Sequence, residues 1–373
     1  MDQSPPAWSD LISPVISFSQ ESRTLSIHSC HSSQSNNSIL TRWPSPVLPN
    51  DESLEKASSA DEHETFSEYA DDRYPLLWYG VLLLDPYTAH LRVPDAVSRL
   101  LADLENRHAG SHPPSRRSIR DSNELHMLWE HSTREDIRLY FQGSGISLFP
   151  GEQPLLHNVS CELIYHHLMR LTNSRFSIQA PAPDVMYGYR ETALSRPNGI
   201  PSWVIDDGKA TETNLFYPFL TVQMQGHGFG SDGCMRKATN ECMIASSICV
   251  RMLDRLNQRL AVRQRGDTSA MINSAAFSIA MNGAVARIYV TFAFDETRDH
   301  VHKVDSFALE NPSHYRKFHR YIQSIIDWGK NERLREIRDA IEVIESSGPR
   351  WYPRYELKQI GDGLDLYLRK ECR

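Results

Sequence analysis

Residues 275–294, with the sequence AAFSIAMNGAVARIYVTFAF, restrict the fold of this chain more than any other segment. Two runs that alternate between apolar and less apolar residues stand on either side of the dipeptide Asn282-Gly283. Such alternation is typical of β-strands, and Asn-Gly is the strongest short signal for a two-residue turn between antiparallel strands. The segment therefore predicts a β-hairpin.

Helical and strand patterns alternate along the chain from about residue 74. Apolar residues spaced by three and four predict helices, and short apolar runs bounded by polar turns predict strands. The predicted helices cover residues 93–106, 123–132, 160–173, 236–264 and 312–346. The predicted strands cover residues 136–142, 182–189, 201–207, 217–225 and 302–309. This order of elements predicts an α/β or α+β fold in which helices flank a mixed sheet.

The longest predicted helix, residues 236–264, carries two stripes. Its predicted buried stripe consists of Ala238, Cys242, Ala245, Cys249, Leu253 and Leu256. Its basic stripe, spaced by four residues, consists of Arg251, Arg255, Arg259 and Arg263. A row of arginines at this spacing is typical of a solvated helix face, and it also suits contact with an anion or a nucleic acid.

The first part of the chain differs in composition from the rest. Residues 1–60 contain 16 serines and no sustained hydrophobic period. Residues 51–72 carry nine acidic residues and one lysine. Too little apolar surface is present there to compensate for the entropy of ordering, so disorder is predicted. The predicted organisation is a disordered segment 1–73, a helical and extended part 74–150 packed on the core, a main domain 151–347, and a tail 348–373.

Charge and cysteine content restrict the cellular location and the partners of the protein. The net charge is −7, so no global positive field favours nucleic acid, although a local basic groove remains compatible with it. The six cysteines are scattered without a C-x-x-C pair, which is typical of a reducing compartment. The N-terminus does not have the pattern of a secretion signal, and the longest apolar run, residues 74–84, is too short for a bilayer. We expect an intracellular protein of the cytoplasm or nucleus, without a membrane partner.

Two short motifs raise the question of catalysis. Pro183-Asp184 begins one predicted strand, and Gln223-Met224-Gln225 ends another. Together with the segments 182–189, 217–226, 237–257, 275–292 and 303–341, they resemble the fungal PD-(D/E)xK nuclease-like family. That resemblance covers about residues 150–345 and implies a restriction-endonuclease-like core. It also implies a fungal origin and an accessory role in a specialised-metabolite pathway.

The chemistry of the resembled family depends on charge. Two acids hold magnesium through oxygen ligands, and a lysine two residues after the second acid stabilises the charge of the reacting phosphate. By this resemblance Asp184 matches the first acid, whereas Gln223 stands at the second acid and Gln225 at the lysine. Amides preserve shape and hydrogen bonding but remove both charges. We therefore expect a degenerate catalytic site and no cofactor, with Asp184 as a weak metal ligand at most.

Two alternatives remain open at the level of sequence. One is an active magnesium-dependent nuclease whose ligands are relocated among Asp184, Asp207, Lys209 and Glu241. The other is a nucleic-acid-binding module that uses Arg251, Arg255 and Arg259 without cleavage. The partner is unknown and is expected to be a nucleic acid or a protein.

Overall fold

The computed structural model describes only part of the chain. The described residues are 76, 80–84, 93–107, 113–130, 132–143, 148–149, 155–159, 162–164, 180–195, 199–226, 235–264, 271–295, 297–346, 354–360 and 363–369. The segments predicted to be disordered or acidic, residues 1–72, lie outside these ranges. The predicted helix 160–173 lies mostly outside them, and residues 162–164 are not helical.

A seven-stranded mixed sheet forms the centre of the described part of the chain. The spatial order of its strands is β1-β7-β6-β5-β4-β3-β2. The strands are β1 (Val81–Leu83), β2 (Leu155–Val159), β3 (Val185–Arg190), β4 (Leu215–Met224), β5 (Ala276–Met281), β6 (Val285–Ala293) and β7 (Asp299–Ala308). The pairs β1/β7 and β4/β5 are parallel, and the other pairs are antiparallel. The predicted mixed α/β fold is confirmed.

Helices flank this sheet. They are α1 (Asp95–Asn106), α2 (Arg116–Arg120), α3 (Asn123–Glu130), α4 (Arg134–Gly143), α5 (Glu191–Leu194), α6 (Ser202–Gly208), α7 (Met235–Arg263), α8 (Pro312–Trp328) and α9 (Leu334–Ser346). A π-helical turn, Gly329–Arg333, joins α8 to α9 within the predicted helical region 312–346. No helix among the described residues is long and apolar enough to cross a lipid bilayer.

Helix α7 connects the two parallel strands at the centre of the sheet. Parallel neighbours need a crossover connection, and α7 provides it between β4 and β5 while packing against β4, β5 and β6. The whole predicted buried stripe from Ala238 to Leu256 is buried, as expected. Hydroxyl groups extend this contact, because Ser246 bonds Thr291 at 2.6 Å and Thr239 bonds Tyr289 at 3.1 Å.

The predicted hairpin is confirmed as β5 and β6, but its turn differs in detail. The Asn282 N–H donates to the Val285 carbonyl, so Gly283 and Ala284 are the central residues. Neither Asn282 nor Gly283 has a positive φ, which the turn expected from Asn-Gly would require. The Asn282 side chain instead accepts from the N–H groups of Ala284 and Val285. These hydrogen bonds to the Asn282 side chain therefore stabilise the turn.

The segment predicted as a strand over residues 136–142 is helix α4, so that prediction was wrong. Thr133 and Asp136 form a capping box: the Asp136 N–H donates to Thr133 Oγ1, and the Thr133 N–H donates to Asp136 Oδ2. Ile137, Tyr140 and Phe141 are buried at helical spacing. The capping box and this spacing favour the helix over the strand.

One further prediction of local structure was wrong. Ser202–Gly208 form helix α6 after Pro201 rather than the strand predicted over residues 201–207, and Val204 and Gly208 are buried one turn apart. The described part of the tail, residues 348–373, contains an antiparallel pair of strands that was not predicted, β8 (Arg354–Ile360) and β9 (Gly363–Arg369). Alternating apolar residues in both segments account for this pairing.

Candidate functional site

Antiparallel pairing of β3 with β4 brings the two predicted motifs together. Val185 pairs with Val222, so Asp184, immediately before β3, lies opposite Gln223. The backbone N–H of Met224 donates to Asp184 Oδ2 at 2.7 Å. The structure therefore places Asp184 at the glutamine-bearing end of β4, as the matched motif requires.

Both glutamines are buried at this end of β4. Gln223 is 2% exposed and Gln225 is 6% exposed. The Gln225 N–H donates to the Met281 carbonyl at 2.9 Å and extends the contact between β4 and β5. Since residues two apart in an extended chain lie on the same side, the two amides share one face. This face has amide groups where the resembled family would have an acid and a lysine.

The Asp184 carboxylate is buried and forms an ion pair. Arg134, the first residue of α4, donates from Nε to Asp184 Oδ1 at 2.8 Å. Asp184 is 2% exposed, whereas the Arg134 side chain is 45% exposed. Burial raises the pKa of Asp184, and the hydrogen bonds from Arg134 and Met224 act in the opposite direction. Both carboxylate oxygens thus have donors supplied by the chain.

A second carboxylate belongs to the same electrostatic environment. Glu241 lies in the second turn of α7 and is partly buried. Burial raises the pKa of Glu241, the charges of Arg134 and Lys237 lower it, and the charge of Asp184 raises it. Glu241, one of the predicted relocated ligands, therefore interacts electrostatically with Asp184 and with Arg134.

The neighbouring Cys242 shows how closely α7 approaches this end of β4. Burial raises the pKa of the Cys242 thiol, and interactions with the Gln223 backbone and the Ser278 side chain lower it. Cys242 is therefore a buried packing residue between the helix and the sheet.

These residues do not fit a magnesium ion. Magnesium is held by available carboxylate oxygens in an octahedral arrangement, and it gives up its bound water reluctantly. Asp184 is already paired with Arg134, and Gln223 and Gln225 add no charge. Within the described ranges, no group of three or more His, Cys, Asp or Glu residues is arranged to hold a metal ion.

The other relocated ligands lie elsewhere. Asp207 pairs with Arg259, and Lys209 forms a β-bridge with Phe216 near the start of β4. Gln223 is seven residues further along β4, or about 23 Å away. The D-x-K sequence at residues 207–209 therefore does not join the Asp184 cluster.

The basic stripe of α7 is engaged in contacts within the protein. Arg251 is buried and pairs with Asp299, with 2.8 Å between Nη2 and Oδ1. Arg259 pairs with Asp207 and lies over the Trp203 ring. Arg255 and Arg263 are partly buried. These contacts favour a structural role for the stripe over a contact with nucleic acid.

Arg134 is the residue of this site that sequence reasoning missed. It lies 50 residues before Asp184, and no local pattern connects the two positions. The sequence Thr133-Arg134-Glu135-Asp136 does contain a capping signal, which would have predicted the start of α4. The ion pair itself depends on how α4 packs against the sheet.

Comparisons with known proteins place the central and C-terminal parts of the chain in a family. Residues 149–341, more than half of the chain, match a family described as "Domain of unknown function (DUF7924)". Comparisons with curated proteins and with solved structures found no match. The chain therefore belongs to the DUF7924 family, whose match includes Asp184, Gln223, Gln225 and Glu241.

Proposed function

We propose that this chain is a catalytically degenerate nuclease-like protein that acts by binding or scaffolding. The resemblance to the PD-(D/E)xK nuclease-like family identifies the positions that would carry catalysis. The ion pair of Asp184 with Arg134 is the observation that supports the loss of catalytic activity. Asp184 accepts from Arg134 and Met224, and the amides Gln223 and Gln225 occupy the two other positions.

The charge requirements of phosphodiester cleavage support this proposal. An active site of this type has to hold a dication and stabilise the additional negative charge of the transition state. Loss of a single electrostatic group typically costs about 3–4 kcal/mol of transition-state stabilisation. Here both the second acid and the lysine are missing from the matched positions, so we expect no measurable cleavage.

The biological setting is proposed from the resemblance alone. An accessory role in a fungal specialised-metabolite pathway suits a protein that keeps a binding surface without hydrolysis. The partner in this proposal is a protein or a nucleic acid, and no cofactor is required.

A cleavage assay with the full chain tests the proposal. Supercoiled plasmid is incubated with purified protein and Mg²⁺ or Mn²⁺, and conversion to nicked circles is measured on a gel. We expect no conversion above a metal-free control. Metal-dependent nicking that is lost in Asp184→Ala but retained in Asp207→Ala would contradict the proposal.

The electrostatic interaction between Glu241 and Asp184 favours one second candidate, the nuclease with relocated ligands. It predicts Mn²⁺-dependent nicking that disappears in both Asp184→Ala and Glu241→Gln. If neither substitution reduces a nicking activity, this candidate is wrong as well.

A further inference from the structure

We propose that Arg134 occupies the cation position of this site, so that the chain supplies its own cation where the resembled family would place a divalent metal ion. This inference rests on the proposed function, because it explains how a degenerate site keeps a buried acid without a metal. It concerns a residue outside the family match, which begins at residue 149.

The direct contact is between the Arg134 guanidinium and the Asp184 carboxylate. The distance from Nε to Oδ1 is 2.8 Å, and the other oxygen accepts the Met224 N–H at 2.7 Å. A buried carboxylate needs a partner charge or hydrogen bonds to remain ionised. A metal ion at Asp184 would have to compete with a guanidinium that is already in place.

The location of Arg134 on its helix supports this role. Arg134 is the first residue of α4, immediately after the capping residue Thr133. The N-terminal end of a helix is its positive end, so a cation there does not stabilise the helix. The acidic residues Glu135 and Asp136 in the same turn suit that position, whereas Arg134 does not. Its favourable interaction is with Asp184, which lies outside the helix.

The surroundings of Glu241 extend the argument to a second acid. The positive charge of Arg134 lowers the pKa of Glu241 as well as that of Asp184, and the charge of Asp184 raises the pKa of Glu241. The charge of one guanidinium thus acts on two carboxylates. Lys237 adds a further positive charge near Glu241.

The acids already present explain why an amide suits position 223. Asp184 and Glu241 are two acids whose pKa values are raised by burial, and the charges of Arg134, Arg138 and Lys237 act against that effect. A glutamate at position 223, which is 2% exposed, would add a third buried acid. Gln223 keeps the shape of that side chain and avoids the additional charge.

A cycle of variants of the full chain tests the inference with Mn²⁺ as the probe. The forms are wild type, Gln223→Glu, Arg134→Gln and the double variant Arg134→Gln/Gln223→Glu. Binding is measured by equilibrium dialysis and by the electron paramagnetic resonance signal of free Mn²⁺. Gln223→Glu alone is expected to remain without Mn²⁺ binding, because Arg134 pairs with the new carboxylate.

The double variant is expected to gain Mn²⁺ binding. Its affinity should exceed that of either single variant by about tenfold or more, since the position vacated by Arg134 then lies beside Asp184, which is opposite the new carboxylate. At Mn²⁺ concentrations about ten times the Kd, its unfolding midpoint should rise by about 2–4 °C. The midpoint of the wild type should not change.

Two matched controls isolate the position of the charge. Arg134→Lys/Gln223→Glu retains a cation and should remain without Mn²⁺ binding. Arg138→Gln/Gln223→Glu removes a positive charge that also acts on Asp184, although Arg138 donates its hydrogen bonds to Glu135. This variant should remain without Mn²⁺ binding, because Arg134 stays in place.

Two results would overturn the inference. One is Mn²⁺ binding by Gln223→Glu itself, which is measurable whether or not the double variant folds. The other is a double variant that is folded by circular dichroism and binds no Mn²⁺. A different result would contradict the proposed function, namely metal-dependent plasmid nicking by the wild type.

Discussion

Arg251 and Asp299 form a buried ion pair between α7 and the start of β7. The Arg251 Nη2 lies 2.8 Å from Asp299 Oδ1, and its Nε donates to Oδ2 at 3.1 Å. The Ser247 hydroxyl also donates to Asp299. Arg251 is therefore a buried structural residue, although its spacing in the arginine stripe is typical of a solvated helix face.

We expect Arg251→Met to be strongly destabilising. The substitution leaves the Asp299 carboxylate buried without its cation, which typically costs about 3–5 kcal/mol of unfolding free energy. Urea denaturation monitored by circular dichroism measures the loss. The double variant Arg251→Met/Asp299→Leu should recover much of it, because no buried charge is then unpaired. A loss below about 1 kcal/mol in the single variant would contradict the structural role of the pair.

The same carboxylate predicts a pH dependence of stability. Burial raises the pKa of Asp299 from 3.8 to about 6, although Arg251 and Ser247 act in the opposite direction. Between these two pH values the folded state binds more protons than the unfolded state. Stability from this group is therefore fully present below pH 3.8 and is lost as the pH rises to about 6.

Comparison with Asp299→Asn isolates this effect. The wild type should lose unfolding free energy relative to the variant as the pH is raised through that interval. The change is on the order of 1.4 kcal/mol for each unit of pKa difference. Parallel pH profiles of the two proteins would show that Asp299 has no raised pKa.

The β5–β6 hairpin shows how contact with a neighbouring helix determines which residue a turn can contain. A Cβ atom at Gly283 would lie 1.9 Å from the Leu128 carbonyl oxygen at the end of α3. Glycine is therefore required by the close approach of α3. The sequence pattern predicted the hairpin, but it did not predict this contact with α3.

We expect Gly283→Ala to destabilise the protein by about 1–3 kcal/mol, because the hairpin and α3 have to move apart. Thermal or urea unfolding measures the effect. Ala284→Ser is a matched control at the neighbouring, partly exposed position and should change stability by about 0.5 kcal/mol or less. Equal stability of Gly283→Ala and the wild type would mean that α3 does not approach this turn.

At the scale of the whole molecule, the core extends beyond the family match. Strand β1 pairs with β7, and Leu104 of α1 belongs to the same buried cluster as the strands of the main sheet. Ile137 and Phe141 of α4 belong to that cluster too. The predicted boundaries at 73/74, 150/151 and 347/348 remain predictions, but the part before residue 149 contributes directly to this core.

A fragment comparison tests this dependence. Residues 149–346 alone lack β1 and α1–α4 and would expose the apolar surface that these elements cover. We expect this fragment to lack a cooperative thermal transition and to give poorly dispersed amide NMR signals. Residues 74–346 should unfold cooperatively. Well-dispersed signals from the shorter fragment would show that the family-matched region folds by itself.

Local patterns predicted a large part of the fold and less of the site. The mixed sheet, the hairpin, the long helix α7 and the helices after residue 312 follow from periodicity, which depends on residues close in sequence. The segment 136–142 was wrongly predicted as a strand because its capping signal begins three residues earlier, at Thr133. Asp184, Gln223 and Gln225 were singled out through their resemblance to a motif, and their roles remain predictions.

The sequence by itself determined the alternation of strands and helices and the absence of charge at positions 223 and 225, because these depend on residue type and spacing. Only the tertiary structure decided that Arg134 meets Asp184, that Arg251 meets Asp299, and that Gly283 faces the Leu128 carbonyl. Each of these contacts joins residues far apart in the chain. Packing brings such residues together, and no local pattern records which of them will meet.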